Sequence, residues 1–405
     1  MHTFPIPGRP MLLPEISHAD NCHLIDADGK RYLDLESGIW CACLGHAHPE
    51  VNRALAEQAA RLAHVGFCYS SPVVERCAAL LLELTGLAGG RQQGQEVPEG
   101  RCALLCSGSE AVEYGVRVLR ALCGEQKILT MADSYFGAYG DAAAKAPEGW
   151  RLFDWTECQN CDREQCDQTC ARWASIPFAE IGAFLFEPGS SSGLVRFPPE
   201  RLIRAIAQTL RASDGLLMAN EVTTGMGRTG RWFGFEHYDF QPDIVALGKG
   251  LGNGYPVSAC CIGPRTADRL GPAGLPYAQS HINDPLGAAV AQAVVGVIRD
   301  QDLIARAGVL SDILLSGLQG MAQGSRLVQS IRGRGLMAVL ELAEEVGVEG
   351  TARLHAKLVH QGFITDHRPG TCLLRMDPAL TMEERDLRDF LQTLGQNIQD
   401  MAAQG

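Results

Sequence analysis

Short apolar runs alternate with segments of helical periodicity along most of the chain. Runs typical of strands lie at residues 102–106, 128–131, 181–186, 215–220, 244–248 and 258–262. Helical periodicity is found at about 49–63, 73–87 and 110–122, and again between several of the later strands. Apolar strands that alternate with helices predict an α/β fold, with a mainly parallel sheet flanked by helices.

Both ends of the chain carry further patterns. Residues 20–36 predict a small β-hairpin, and residues 88–101, which are rich in Gly and Gln, predict a loop. Beyond about residue 288 the pattern is helical, and it then alternates again through 339–342 and 372–375. The last part of the chain therefore predicts a second, smaller α/β unit.

The composition restricts the class of protein. The chain of 405 residues is 46% hydrophobic and 20% charged, so it can bury a large core. Its net charge of −12 argues against nucleic acid or an anionic membrane as the main partner, and no apolar run approaches the ~20 residues of a membrane span. The N-terminus lacks the basic and apolar regions of an export signal. Fifteen cysteines, an odd number, fit a reducing compartment, so we predict a cytoplasmic enzyme.

Lys249 is the most informative single residue. It follows the apolar strand at 244–248 within the sequence Leu247-Gly248-Lys249-Gly250, and the chain has only five lysines. The glycines allow another molecule to approach the backbone, and a desolvated amine at such a place can lose its proton and attack a carbonyl. The local sequence alone is equally consistent with a surface lysine in a turn.

Polar groups follow several other predicted strands, at the edge where α/β sheets bind ligands. Ser107-Gly108-Ser109-Glu110 could hold a phosphate at the start of a helix, although these residues are also typical of an ordinary N-cap. Tyr135 could stack on a flat ligand or simply pack in the core. Glu187 and Asn220 each come at the end of an apolar strand.

Taken in order, these segments resemble class III aminotransferases, which are pyridoxal-phosphate enzymes of fold type I. The matching segments are Ser37-Gly38-Ile39-Trp40, Leu44-Gly45-His46-Ala47-His48-Pro49, Ser107-Gly108-Ser109-Glu110-Ala111, Tyr135-Phe136-Gly137, Phe186-Glu187-Pro188, Asn220-Glu221-Val222-Thr223-Thr224-Gly225-Met226-Gly227-Arg228-Thr229-Gly230, Leu247-Gly248-Lys249-Gly250 and Arg375-Met376-Asp377-Pro378. The resemblance runs from about residue 20 to 395. It implies a large cofactor-binding domain at 49–290, and a small domain built from residues 1–48 and 291–405.

The resemblance also implies how the cofactor is held. Lys249 would carry pyridoxal 5'-phosphate as a Schiff base and would move the proton of the substrate carbon. The other cofactor-binding residues would be Gly108, Ser109, Tyr135, Glu187, Asn220, Thr223 and Ser280. Ser280 matches a residue that reaches a phosphate in the neighbouring subunit, so a homodimer with a shared active site is implied.

The substrates follow from the same resemblance. An amino acid or ω-amine would give its amino group to a keto acid of the pyruvate or 2-oxoglutarate type. Arg375 would bind a substrate carboxylate, which suits the planar fork of its guanidinium. Trp40 would form an aromatic wall of the substrate pocket.

Three positions depart from the family pattern. Asn220 stands where the family has an almost universal aspartate beneath the pyridine nitrogen, and Thr223 and Ser192 replace a glutamine and a glutamate found in many members. The missing glutamate argues against a simple ornithine or acetylornithine enzyme that uses 2-oxoglutarate, and it favours pyruvate-type acceptors.

Three hypotheses about the function stay open. An ordinary aminotransferase is preferred; a racemase, epimerase or aminomutase is the second, because a weaker electron sink favours return of the proton; a relative without useful turnover, which binds the cofactor or a partner, is the third.

A cysteine-rich segment at about 155–173 has no counterpart in the family pattern. Cys158, Cys161, Cys166 and Cys170 have the spacing C-x2-C-x4-C-x3-C. This spacing predicts a tetrathiolate site for structural zinc, with an iron–sulfur cluster as a weaker option. The alternative is a loop of free or oxidisable thiols.

Overall fold

The computed structural model describes residues 3–4, 6, 11–13, 15–66, 68–92 and 95–404. Part of the N-terminal stretch on which the missing export signal was based, and residues 93 and 94 of the predicted loop, lie outside the described residues. The strands are β1 (Ile16–Asp20), β2 (His23–Asp26), β3 (Arg31–Asp34), β4 (Gly89–Gln92), β5 (Gln95–Glu99), β6 (Arg101–Leu105), β7 (Lys127–Met131), β8 (Trp150–Phe153), β9 (Ile181–Phe186), β10 (Leu216–Asn220), β11 (Ile244–Leu247), β12 (Ser258–Ile262), β13 (Val328–Arg334), β14 (Met337–Leu342), β15 (Phe363–Ile364), β16 (Asp366–His367) and β17 (Leu373–Met376). The helical segments are α1 (Ser37–Trp40), α2 (Pro49–Arg61), α3 (Pro72–Leu84), α4 (Gly108–Cys123), α5 (Gly140–Ala144), α6 (Ala171–Ala174), α7 (Glu200–Ala212), α8 (Pro264–Leu270), α9 (Pro285–Asp300), α10 (Leu303–Gly324), α11 (Gly347–His360) and α12 (Glu384–Gln404).

A seven-stranded sheet forms the centre of the molecule, in the order β6-β12-β11-β10-β9-β7-β8. Strand β12 is antiparallel to both of its neighbours, and the other pairs are parallel. Alternate residues of β9 and β10 enter two separate hydrophobic clusters, one on each face of the sheet. Both faces are therefore buried, which explains why the strands are continuous apolar runs. The mainly parallel sheet flanked by helices is confirmed.

The two ends of the chain join in smaller sheets. Strand β3 pairs in parallel with β15, so the predicted N-terminal hairpin packs with a strand from the C-terminal part. A second, antiparallel sheet has the order β13-β14-β17-β16. A smaller α/β unit built from both chain ends is thus present, and its bounds at residues 48 and 290 stay a prediction.

Two segments differ from the sequence-based expectation. The predicted loop at 88–101 contains the antiparallel pair β4 and β5, with a register shift between Gly89 and Gly90. Backbone hydrogen bonds alone can hold such a pair, so it does not require residues with a high strand propensity. The polar composition of the segment therefore gave no strand signal. Strand β8 was not predicted; it pairs with β7 at the edge of the large sheet. No helix of the described ranges is long and apolar enough to cross a membrane.

Candidate active site

A pocket of about 170 Å³ lies at the carboxyl ends of the parallel strands of the large sheet. Its wall includes Gly108, Ser109, Tyr135, Asn220, Thr223 and Lys249, together with Gly137 and Ser191. These residues follow β6, β7, β9, β10 and β11, whose carboxyl ends meet because the strands run in parallel. Six of the residues predicted to form the cofactor site therefore come together in one cavity.

Lys249 lies in the turn directly after β11, with a left-handed backbone at φ 44°. Its Nζ donates a hydrogen bond to Oγ1 of Thr223 at 2.7 Å. Burial, and then the positive charge of Arg375, lower the pKa of Lys249 from 10.5 to about 8. A substantial fraction of this amine is neutral near physiological pH, as a nucleophile for carbonyl groups requires.

The start of α4 offers groups that suit a phosphate. Ser107 and Glu110 form a reciprocal capping box, so the first turn of the helix is well defined. Oγ of Ser109 accepts a hydrogen bond from the N–H of Ala138, which leaves the hydroxyl hydrogen of Ser109 available as a donor. The helix dipole adds positive potential at the same end.

Asn220 ends β10, and its amide orientation is determined by two backbone partners. Nδ2 donates to the carbonyl of Tyr135 at 3.1 Å, and Oδ1 accepts from the N–H of Val222 at 3.2 Å. The reverse orientation would set two acceptors against each other and two donors against each other. Glu221 points to the other side of the strand, where the N–H groups of Gly234 and Phe235 bind its carboxylate. Glu221 therefore does not take the place of the missing aspartate.

Glu187 directly follows β9 and lies behind the pocket wall rather than in it. Its carboxylate accepts from the N–H of Tyr135 at 3.0 Å and from the hydroxyl of Ser191 at 2.5 Å. Burial raises the pKa of Glu187 from 4.5 to about 7. Glu187 thus positions Tyr135 and Ser191, and the side chain of Tyr135 remains 49% exposed and free to cover a ligand.

The indole ring of Trp40 lies close both to the amine of Lys249 and to Arg375, the residue predicted to bind a substrate carboxylate. Nζ of Lys249 lies 4.6 Å from the centre of the indole ring, and Cζ of Arg375 lies 3.7 Å from it. Arg375 is only 1% exposed and forms a bidentate ion pair with Asp377, with Nε–Oδ2 at 2.7 Å and Nη2–Oδ1 at 3.0 Å. Asp377 was not predicted from the sequence, although residues two apart on an extended segment share a face.

Trp40 itself lies in α1, whose backbone is left-handed from residue 37 to residue 40. Such a turn is unfavourable for side-chain-bearing residues. Asp34 holds it in place, because its carboxylate accepts from the N–H groups of Glu36 and Gly38, both at 2.9 Å. Asp34 was not predicted from the sequence either, since its role depends on a backbone conformation that no side-chain pattern encodes.

The remaining predicted site residues lie elsewhere. Ser280 is exposed on a loop that pairs with β6 through Asn283, and it does not line the pocket. Among the described residues, no three of the four clustered thiols have Sγ atoms within 4.8 Å of one another. Cys158, Cys166 and Cys170 pack instead as partly buried groups against the main hydrophobic cluster.

Comparison with known proteins identifies the family. The family model "Aminotransferase class-III" matches residues 6–149 and 153–398. The chain belongs to the class III aminotransferases. It is a pyridoxal-phosphate-dependent enzyme that transfers amino groups between an amino donor and a keto acid.

Individual relatives of this aminotransferase include two kinds of enzyme. An acetylornithine aminotransferase of Mycobacterium tuberculosis is 32% identical, over 94% of this chain and 90% of the relative. A leucine/methionine racemase of Thermococcus litoralis is 29% identical, over 98% of this chain and 94% of the relative. The structure of acetylornithine aminotransferase from Elizabethkingia anophelis aligns with a TM-score of 0.83 at 24% identity, covering 98% of this chain and 96% of that one. This likeness supports the fold type I assignment.

Proposed function

We propose that Lys249 carries the cofactor of this aminotransferase and transfers the proton between substrate and cofactor during amino transfer. The observation that supports this role best is the position of its amine in the pocket, 2.7 Å from Thr223 and with its pKa lowered to about 8. Thr223 accepts a hydrogen from the amine, so it can direct the nitrogen lone pair toward the cavity. The other four lysines of the chain do not line this pocket.

The residues of the pocket fit pyridoxal phosphate from end to end. Backbone N–H groups of Gly108 and Ser109, with the free hydroxyl hydrogen of Ser109, would hold the phosphate at the start of α4. The exposed ring of Tyr135 would cover one face of the pyridine ring. When bound, the cofactor supplies an electron sink that stabilises negative charge on the substrate carbon.

Asn220 would face the pyridine nitrogen with a neutral amide. Its Nδ2 keeps one hydrogen free after bonding the carbonyl of Tyr135, so it can donate to an unprotonated ring nitrogen. It cannot stabilise a protonated one as a carboxylate does. The cofactor would therefore be a weaker electron sink than with an aspartate, and this would favour return of the proton by Lys249 to the substrate carbon.

Racemisation is the second candidate function, and two observations favour it. Asn220 lies in the pocket with a neutral amide where the family has a carboxylate, and a racemase is among the relatives that match over 94% of their own length. The two reactions differ in one assay, in which the enzyme meets an amino donor in D₂O without any keto acid. Aminotransfer predicts a single turnover that stops when the cofactor is aminated, whereas racemisation predicts continuous loss of chirality with deuterium entering the substrate carbon.

The assembly is proposed to be a homodimer that shares its active sites. Support comes from Ser280, which is exposed on a loop held to β6 by two bonds between Leu104 and Asn283. That loop presents Ser280 outward, where it can reach the phosphate site of a second copy. Light scattering of the purified protein tests this proposal, because a monomer would contradict it.

Two further proposals concern the surroundings of the enzyme. None of the fifteen cysteines, all of which lie among the described residues, forms a disulfide bond, and this supports a reducing location such as the cytoplasm. A zinc or iron–sulfur site at the clustered cysteines is supported only by their spacing in the sequence. Among the described residues, no three of their Sγ atoms lie within 4.8 Å of one another, which supports free thiols instead.

A further inference from the structure

Two histidines and an aspartate come together at the start of α9, outside the pocket that contains Lys249. One ring nitrogen each of His64 and His281 and a carboxylate oxygen of Asp284 all lie within 4.8 Å of one another. Nδ1 of His64 is 3.1 Å from Oδ1 of Asp284, and the centres of the two imidazole rings are 4.6 Å apart. His64 and Asp284 are 220 positions apart in the chain, so the fold assembles this group.

Asp284 does not take the usual role of an aspartate at its position. It stands at the N-cap of α9, where an aspartate commonly accepts a hydrogen bond from a backbone N–H of the first turn. Its side chain makes no such bond, and its carboxylate is directed to His64 instead. The side chain is only 15% exposed, and among the described residues no lysine or arginine nitrogen lies within 4.0 Å of its oxygens. The carboxylate is therefore available to a cation.

The backbone holds the three side chains near one another. The N–H of Asn283 donates to the carbonyl of Leu104 at 2.9 Å, and the N–H of Leu104 donates to Oδ1 of Asn283 at 3.0 Å. This double bond to β6 lies between His281 and Asp284 in the chain. His64 comes shortly after α2, which packs against α9. The site therefore joins two segments that are already in contact.

A cavity of about 210 Å³ lies beside the cluster, and His281 and Asp284 form part of its wall. Among the described residues, no lysine or arginine contributes to this wall. Cys106 lines the cavity too, but it does not belong to the group of side chains whose ligand atoms lie within 4.8 Å of one another. An ion held by the three side chains would thus have room for the water molecules that complete its coordination.

We propose that His64, His281 and Asp284 bind a divalent transition-metal ion, and that zinc is the ion taken up. Two imidazoles and a carboxylate, with water in the remaining position, are a common zinc ligand set. Two ligands at about 2.1 Å from one tetrahedral zinc ion are roughly 3.3 Å apart, close to the 3.1 Å between His64 and Asp284. Mg²⁺ and Ca²⁺ fit less well, because they prefer oxygen ligands.

An ordinary hydrogen bond between His64 and Asp284 explains only part of this arrangement. It accounts for the separation of 3.1 Å but does not involve the nitrogen of His281 in the same group. Protonation of both rings would place two like charges beside one carboxylate. A single divalent ion instead accepts a lone pair from each of the three groups, and the whole site then carries a net charge of +1.

The exposure of the ligands determines how firmly the ion is held. His64 and His281 are both exposed, so water competes for the ion, and the site is expected to fill only when zinc is supplied. Because the ligands come from two distant segments, the unfolded chain does not present them together. Zinc should therefore bind the folded state preferentially and raise the melting temperature.

Equilibrium dialysis of the holoenzyme against Zn²⁺, followed by metal analysis, tests this proposal. Wild type is expected to bind one more zinc ion per chain than D284N, and H281N is expected to bind that ion at least tenfold more weakly. C106S is the matched control from the same cavity, and H360N removes an exposed histidine of α11. Both controls should bind zinc as wild type does. The four clustered cysteines are the same in every variant, so zinc bound to them cancels in the comparison.

Equal zinc binding by wild type, D284N and H281N would overturn the inference. A loss in C106S as large as in D284N would overturn it as well, because the thiol would then be a ligand. Asparagine is also a good N-cap residue, so D284N should fold normally. The melting temperature without zinc checks this, and H64N replaces any variant whose melting temperature differs from that of wild type.

The rise in melting temperature on addition of Zn²⁺ is a second, independent measurement. It should be the same in wild type, C106S and H360N, and it should be at least halved in H281N and H64N. An equal rise in all five proteins would contradict the site. Neither measurement involves an amine or a keto acid, so its failure would leave the proposed amino transfer untouched.

Discussion

The lowered pKa of Lys249 predicts an unusual pH dependence for capture of the cofactor. Only a neutral amine attacks an aldehyde, so the capture rate follows the neutral fraction of Lys249. With the ordinary pKa of 10.5, roughly one lysine in three thousand is neutral at pH 7, whereas with a pKa of about 8 the fraction is roughly one in ten. We therefore expect burial beside Arg375 to accelerate capture at neutral pH by roughly two orders of magnitude.

Stopped-flow mixing of cofactor-free protein with pyridoxal phosphate measures this rate from the visible absorbance of the bound cofactor. The rate should rise about tenfold from pH 6 to pH 7 and level off above about pH 8. Butylamine, followed over the same range, corrects for titration of the cofactor itself. A rate that keeps rising tenfold per pH unit above pH 9 would refute the reasoning, because the lysine would then have an ordinary proton affinity.

Three further predictions concern other groups. N220D is expected to destabilise the cofactor-free protein by about 1–3 kcal/mol in chemical denaturation, because its carboxylate would face the carbonyl of Tyr135 without a hydrogen between them; a variant as stable as wild type would contradict the observed amide orientation. Glu187, whose pKa is raised from 4.5 to about 7, holds its proton more tightly in the folded state, so stability should fall by up to roughly 3 kcal/mol between pH 4.5 and 7. That part of the decline in stability should be missing in E187Q. An E187Q variant with the same pH profile as wild type would contradict the raised pKa of Glu187. Metal analysis of anaerobically purified protein should find less than one zinc or iron per chain, and a full equivalent lost on mutating Cys158 and Cys170 would contradict the free-thiol assignment.

The buried strands were predictable from the sequence because their signal is local. Strands β9 and β12 begin and end at the predicted residues, since both are continuous apolar runs with clear boundaries. The polar hairpin at 89–99 and the edge strand β8 carried no such signal, because their pairing depends on backbone bonds and on neighbouring strands.

The site shows the same division between local and long-range information. Lys249 and the start of α4 were predictable because each is a short motif at the end of a strand. The hydrogen bond between Asn220 and Tyr135 was not predictable, because it joins the end of β10 to a loop residue 85 positions earlier in the chain. Strand alternation predicts that Arg375 and Asp377 share a face, whereas the resemblance to the family implied only a substrate-binding role for Arg375.

Borohydride reduction of the holoenzyme, followed by peptide mass spectrometry, tests the central claim most directly. The account predicts one reduced cofactor adduct per chain, located on Lys249, and a K249A variant that is colourless after saturation with pyridoxal phosphate. An adduct on Lys145 or another lysine, or a K249A variant that stays yellow, would contradict it.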